Sequence, residues 1–478
     1  MNLAESPSSH PGQHPALVTP SGSLTYAQIE DRVAKWRGAL GATGLGAGDR
    51  IMVLSGNDEV FVMAYLAIIG IGAIAVPLNP QSPPAELSRE IEVVAPSAAI
   101  INPAFGASLD TTTSPHILAI DTLDAGEPAP LVSVSADAPA VLLFTSGTAG
   151  QPKPAVLTHG NLDSAIRAML TLPIDLLDAD HVVLGVIPLF HVFGLSIVLN
   201  LGLRIGATIV LEDFRSPGQI GALAAQHKVT MLGGPPNLWL ALARSADTNP
   251  EQFESLELAI SGAAKLPPAI HLEVSHQLNI ALAEGYGLTE TSAVVATAAG
   301  SDAPVGSVGR LLPGIEARIV DQDGDDAFVG DPGELWVRGP MVSPGYFEAG
   351  EIVPTADKDG WLQTGDLAVV DDDGCIAIVD RLKDLVIVSG FNVYPGEVEA
   401  VLVAYPSVAE AAVTGEPDPM TGEHLIAHLV PELGATIDID GLLAHCREQL
   451  ARYKIPGRVE VRETLPTGLG GKIRRHEL

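Results

Sequence analysis

Cysteine is nearly absent: Cys375 and Cys446 are the only two in 478 residues. Two thiols cannot build a disulfide framework or, by themselves, a zinc site, so both are expected as buried, reduced thiols of a cytoplasmic protein. Positive charge is scarce too, with 26 Lys and Arg against 58 Asp and Glu and a formal net charge of −32. That balance speaks against general nucleic-acid binding, whose affinity comes from cations meeting phosphates. The opening residues, MNLAESPSSHPGQHP, lack the basic and apolar regions of a signal peptide. There is no internal repeat and little low-complexity sequence. The one long uncharged run, the 19 residues Val60 to Leu78, approaches the length of a membrane span. It is broken by Gly70, Gly72 and Pro77 and preceded by Asp58 and Glu59. A buried helix, a glycine turn and a buried strand explain it better, and no transmembrane segment is expected.

Apolar residues make up 47% of the chain, which suits a globular α/β protein. Its length exceeds a single typical core, so more than one domain is expected. Charge is uneven: residues 381–478 carry ten Lys/Arg against 14 Asp/Glu, leaving most of the negative charge on the first 380 residues. An anionic ligand meets less repulsion at the tail.

Thr25 followed by Gln28 has capping-box spacing and opens a helix with apolar residues at helical intervals. Strand-then-loop units alternate with helices as far as about residue 300, predicting mostly parallel sheets. Beyond that point, short strands joined by Asp-Gly turns predict a β-rich section. From residue 384 a compact α+β unit follows. The expected fold is therefore α/β, with a large N-terminal domain (1–381) of mostly parallel sheets plus a barrel-like β-rich part. A hinge at 382–383 and a small α+β domain at 384–478 complete it.

The stretch LLFTSGTAGQPKPAVLTHGNL (142–162) runs from an apolar strand into small and hydroxylated residues around Lys153. It breaks the Walker A pattern, because two residues rather than four separate Gly147 from Gly150 and Pro154 follows the lysine. Placed between a strand and a helix, its small residues let successive backbone N–H groups face one anion. Thr145, Ser146 and Thr148 add hydroxyls and Lys153 a charge. A glycine-serine turn is the ordinary reading of SGT alone, but the full span is far less ordinary.

This loop closely resembles the signature of the adenylate-forming superfamily, which includes acyl-CoA synthetases, peptide-synthetase adenylation domains and beetle luciferases. Ala149 stands where that signature has a second threonine, and Pro154 where it has a final glycine. Further motifs follow in the family's order. PLFHVFGL (188–195) resembles the segment near the acyl carboxylate, which assigns His191, Phe193 and Gly194 to the acyl group. SGAAKL (261–266) resembles the loop along the adenine, with Gly262 and Ala263. In EGYGLTET (284–291), the resemblance places Glu284, Gly285, Tyr286 and Gly287 at the nucleotide, with Tyr286 stacked on adenine. It gives Thr289 a phosphate contact and makes Glu290, with Thr148, a holder of Mg2+; a hard cation wants such oxygens. Asp366 in WLQTGDLA would accept from the ribose hydroxyls, and Arg381 would touch ribose and phosphate. Lys383 falls at the hinge. Ser389 and Gly390 would lie along the arm of CoA. Gly471, Lys472, Arg475 and Leu478 keep the spacing of the family's ending, which makes Lys472 the expected adenylation lysine.

The resemblance implies an acyl-CoA synthetase using ATP, Mg2+ and CoA on a small-molecule carboxylate. Fatty acids are the first expectation for that acid and aryl acids the second. A carrier-protein pantetheine as acceptor, a luciferase-like oxygenase and a non-catalytic binding protein stay open as alternatives, as does a homodimer.

Overall fold

The computed structural model describes residues 2–108, 116–145, 153–174, 180–212, 216–388, 391–418, 421–467 and 473–478. Among them, strands assemble into sheets of nine, eight, four and five. The nine-stranded sheet has a parallel centre that includes Met231–Gly234, Leu258–Ser261 and Leu282–Tyr286. Antiparallel strands extend it at both ends. The eight-stranded sheet pairs Arg50–Leu54, Ile74–Leu78, Ala98–Ile101 and His116–Leu118 in parallel, then turns antiparallel from Pro139–Thr145 to Lys153–Thr158.

The uncharged run resolves as anticipated. Helix Glu59–Gly70 is capped by the Asp58 carboxylate, Gly72 takes φ +78° in the turn, and strand Ile74–Leu78 is wholly buried. From Phe61 to Ile69 the helix is 1% exposed or less, because a helix apolar on every face has to be enclosed by protein. No helix among the described residues is long and apolar enough to cross a membrane. The capping box at Thr25 and Gln28 is formed, starting helix Tyr26–Ala42. One apolar core links the two large sheets with this helix, and a second lies under helices Pro217–His227, Pro236–Arg244 and Pro268–Leu278.

The β-rich section is built on a four-stranded antiparallel sheet, Glu316–Val320, Gly333–Arg338, Leu362–Val370 and Ile376–Arg381. After a short turn at Leu382–Asp384, the chain builds a separate core around Val398, Leu402, Leu425 and Leu442, on strands Val408–Asp418 and Gly422–Pro431 and helices Pro395–Val403 and Ile439–Gln449. Cys375 and Cys446 are both buried and unpaired.

One local expectation needs correction. The Ser/Gly-rich loop does not pass from a strand straight into a helix. Strand Lys153–Thr158 intervenes and pairs antiparallel with Pro139–Thr145, so the loop joins two rungs of one ladder. Pro154 to Leu157 are all buried, and that burial favours the strand. Pro154 sits opposite Phe144 near the strand's start, where a missing N–H is tolerated. The helix then begins at His159, capped by the Thr158 hydroxyl.

Candidate active site

A cleft of roughly 1630 Å³ runs between the large N-terminal part and the C-terminal unit. Residues that sequence reasoning scattered along the chain meet on its wall. Thr145 and Lys153 come from the hairpin, His191 and Phe193 from the segment after Pro188, and Gly262 and Ala263 from the end of one strand. Gly285 lies in the next strand and Gly287, Thr289 and Glu290 follow it, while Arg381 ends strand Ile376–Arg381 and Lys383 comes from the turn after it. Gly194, Glu284, Tyr286 and Asp366 stand just behind that wall. Ser146, Gly147, Thr148, Gly150, Ser389, Gly390 and Lys472 lie outside the described residues.

Asp366 is the best-held of these groups. Strands Leu362–Val370 and Ile376–Arg381 put it directly opposite Arg381, whose Nε lies 2.7 Å from Oδ1. Tyr286 donates its hydroxyl to Oδ2 at 2.6 Å. Burial, with Asp366 beside it, pushes the Tyr286 phenol well above its ordinary value, so it is a permanent donor here. The carboxylate itself is 2% exposed. A buried, doubly bonded acid with an arginine at the cleft suits the hydroxyls and phosphate of a nucleotide.

Glu290 is oriented by a residue that the sequence left without a role. Tyr346 donates its hydroxyl to Glu290 Oε1 and lines the cleft. Its ring also lies 5.6 Å from Lys153 Nζ, and strand Gly345–Glu348 pairs with Lys153–Thr158. Ser343 N–H donates to the Glu290 backbone oxygen at 2.7 Å. Only the tyrosine type after the Ser-Pro-Gly turn signalled this in sequence, since the pairing joins distant segments.

His191 is kept neutral by burial, which pushes its pKa down. Its Nδ1 accepts from the Phe193 N–H at 3.2 Å, so the ring proton sits on Nε2. Gly194 permits that tight geometry: a Cβ there would lie 2.2 Å from the Pro188 oxygen. A π-helical turn, Gly194–Asn200, follows, a form often found at functional sites. Ala263 holds φ +66°, a strained setting for a non-glycine residue beside a candidate binding wall.

Glu284 braces this wall from behind. It accepts backbone N–H groups from Gly306 at 3.1 Å and from Leu266, and its burial raises its pKa to about 7. Residues 235–239 do not line the cleft, and Trp239 is buried in the second core and donates to the Ile260 oxygen.

The C-terminal tail is anchored too. Arg475 bonds Asp384 at 2.9 Å and Glu399 at 2.7 Å, joining tail, junction and helix Pro395–Val403. Thr467 and Ile473 form an isolated antiparallel bridge, and Arg474 N–H donates to the Pro466 oxygen.

Residues 3–347 match the AMP-binding enzyme family, and residues 397–472 match the AMP-binding enzyme C-terminal domain. A feruloyl-CoA synthase from Amycolatopsis is 35% identical over 474 residues, covering 97% of this chain and 95% of the relative. A long-chain-fatty-acid–CoA ligase from Yersinia pestis is 31% identical, covering 97% and 91%. The crystal structure of ATP-bound MatB from Rhodopseudomonas palustris superposes with a TM-score of 0.92 at 31% identity, covering 100% of this chain and 98% of that one.

Proposed function

The chain belongs to the AMP-binding enzyme family, an AMP-forming CoA ligase by its relatives, and from that premise we propose that it activates a hydrophobic monocarboxylic acid. A carboxylate is a poor electrophile, because its charge repels nucleophiles and its oxygen leaves badly. Attack of the carboxylate on the α-phosphorus of ATP forms acyl-AMP and releases pyrophosphate. The CoA thiol then attacks the activated carbonyl, the C–S bond forms, and AMP leaves.

The observation that carries this reading is buried Asp366, held between Tyr286 and the cleft-lining Arg381. Asp366 is set to receive ribose hydroxyls and Arg381 to meet phosphate, with Gly262, Ala263 and Gly285 forming a wall for the adenine. The Lys153 ammonium faces the triphosphate from the hairpin, and Lys472 would reach the reacting oxygens. Preorganised donors and cations of this kind act most strongly where water is excluded. Glu290 fits Mg2+: its bond from Tyr346 uses Oε1, which leaves carboxylate oxygen for a hard cation, with the Thr289 hydroxyl nearby on the wall. The ion, when bound, would neutralise phosphate charge. The thiol would come in past Ser389 and Gly390 once the C-terminal unit, bounded at 382–383, turns about Lys383.

Met169, Phe190, Phe193, Ile197 and Val294 make the acid-binding wall apolar, which supports an uncharged body on the acid. The relatives act by name on both aryl and long-chain acids. Pyrophosphate release from ATP across a panel of carboxylates tests the adenylation step. Repeating it with CoA and weighing the product tests the acceptor. Acid-independent pyrophosphate release, or none with any acid, refutes the reading.

A further inference from the structure

We infer that Phe193 and Gly233 form one specificity element, a plug at the acyl end of the cleft that admits flat or short acids and turns away long unbranched chains. This rests on the ligase reading above and adds the class of acid.

Phe193 lines the cleft and at the same time packs against both large apolar cores. Its ring edge rests on two backbones that lack a Cβ. A Cβ on Gly233 would fall 3.1 Å from Phe193 Cζ, and one on Gly262 would fall 3.0 Å from Cε1. Both distances are tighter than side-chain carbons ordinarily tolerate, so the ring occupies space that any larger residue at either site would take. The two glycines stand on neighbouring parallel strands: Gly233 pairs with Ile260, two residues before Gly262. The ring therefore lies across the ends of adjacent strands.

What lies behind the ring gives the plug its meaning. Ile187 Cδ1 is 3.4 Å from the same Gly233 Cβ position, and Ile187 belongs to the second core, beneath the outer helices. Phe193 faces the cleft, and Ile187 does not line it. A long chain entering past His191 would have to displace the ring to run on between the strand ends into that core. An aryl group needs no such passage. It can lie against the ring in an offset or edge-to-face arrangement, walled by Met169 and Ile197.

A purely structural phenylalanine would alter stability and slow every acid alike, so the ratio between acids is the readout. Rates with benzoate, cinnamate, octanoate and palmitate are measured at saturating ATP and CoA, following AMP formation. The wild type is expected to favour cinnamate over palmitate in kcat/KM. Phe193→Ala should move that ratio toward palmitate by about tenfold or more, the scale on which apolar pockets discriminate, with Phe193→Leu between the two. Gly233→Ala, whose new methyl meets the ring, should raise KM for cinnamate and leave KM for ATP unchanged. A wild type that prefers palmitate, or a ratio unmoved in Phe193→Ala, overturns the plug while leaving the ligase reading intact. An enzyme inert to every acid refutes the ligase reading, and the plug falls with it.

Discussion

Asp366 shows what a single residue carries. With Arg381 and Tyr286 both committed to one buried carboxylate, Asp366→Asn leaves a guanidinium short of its counter-charge. Losing a hydrogen-bonded buried charge costs about 1–3 kcal/mol. KM for ATP should rise by about tenfold on that scale, checked by steady-state kinetics, with a lower midpoint in urea. Tyr346→Phe is subtler, because it deletes a hydroxyl and keeps the ring over Lys153. Glu290 would lose its orientation, so pyrophosphate release should slow and need more Mg2+, while thioester formation from supplied acyl-adenylate stays unchanged. Asp366, Glu290 and Arg381 came up in the sequence only through motifs that resemble the family's, and the structure sets Asp366 opposite Arg381. Tyr346 was not, and neither was the bond from Tyr286 to Asp366. Those depend on which strands pair, and periodicity within one segment does not report that.

At the level of elements, strand Leu282–Tyr286 places Tyr286 toward Asp366, while Glu284 staples the same strand to its neighbouring loops. The Glu284 carboxyl titrates near 7 when folded, raised by burial from an ordinary 4.5. Folding therefore takes up a proton between those two values, and stability falls as pH rises through that window, by at most about 1.4 kcal/mol per pH unit. Glu90, likewise buried and raised to about 7, bends the wild-type curve the same way. Urea midpoints from pH 4.5 to 7 should decline less steeply in Glu284→Gln than in the wild type; parallel curves would show that Glu284 does not titrate there. Element types were largely readable, as the Thr25 cap and the Glu59–Gly70 helix show. Strand Lys153–Thr158 escaped because a proline and loop-forming residues precede six residues that are too short to show a period.

At the scale of the molecule, the strand and helix pattern from residue 384 suggests a compact α+β unit, yet nothing in sequence tells how it docks. Among the described residues, two polar contacts join the C-terminal unit to the rest. Asp380 accepts from Gly396 N–H at 2.7 Å, and Arg244, already paired with Glu273, reaches Glu432 at 3.6 Å. Arg244 and Glu432 are both more than one-third exposed, so their pair is worth at most about 1 kcal/mol. That is still a few-fold in the balance between the docked orientation and any other. Arg244→Ala should slow pyrophosphate release relative to thioester formation from supplied acyl-adenylate, and an unchanged ratio of the two rates would deny the contact any part in docking. Because that latch is made of surface charge, mobile ions compete with it over a Debye length of about 8 Å at physiological salt. Ionic strength then becomes a dial on the enzyme's timing: dilute buffer prolongs the docked orientation, concentrated salt shortens it, and replacing Arg244 cuts the dial's connection.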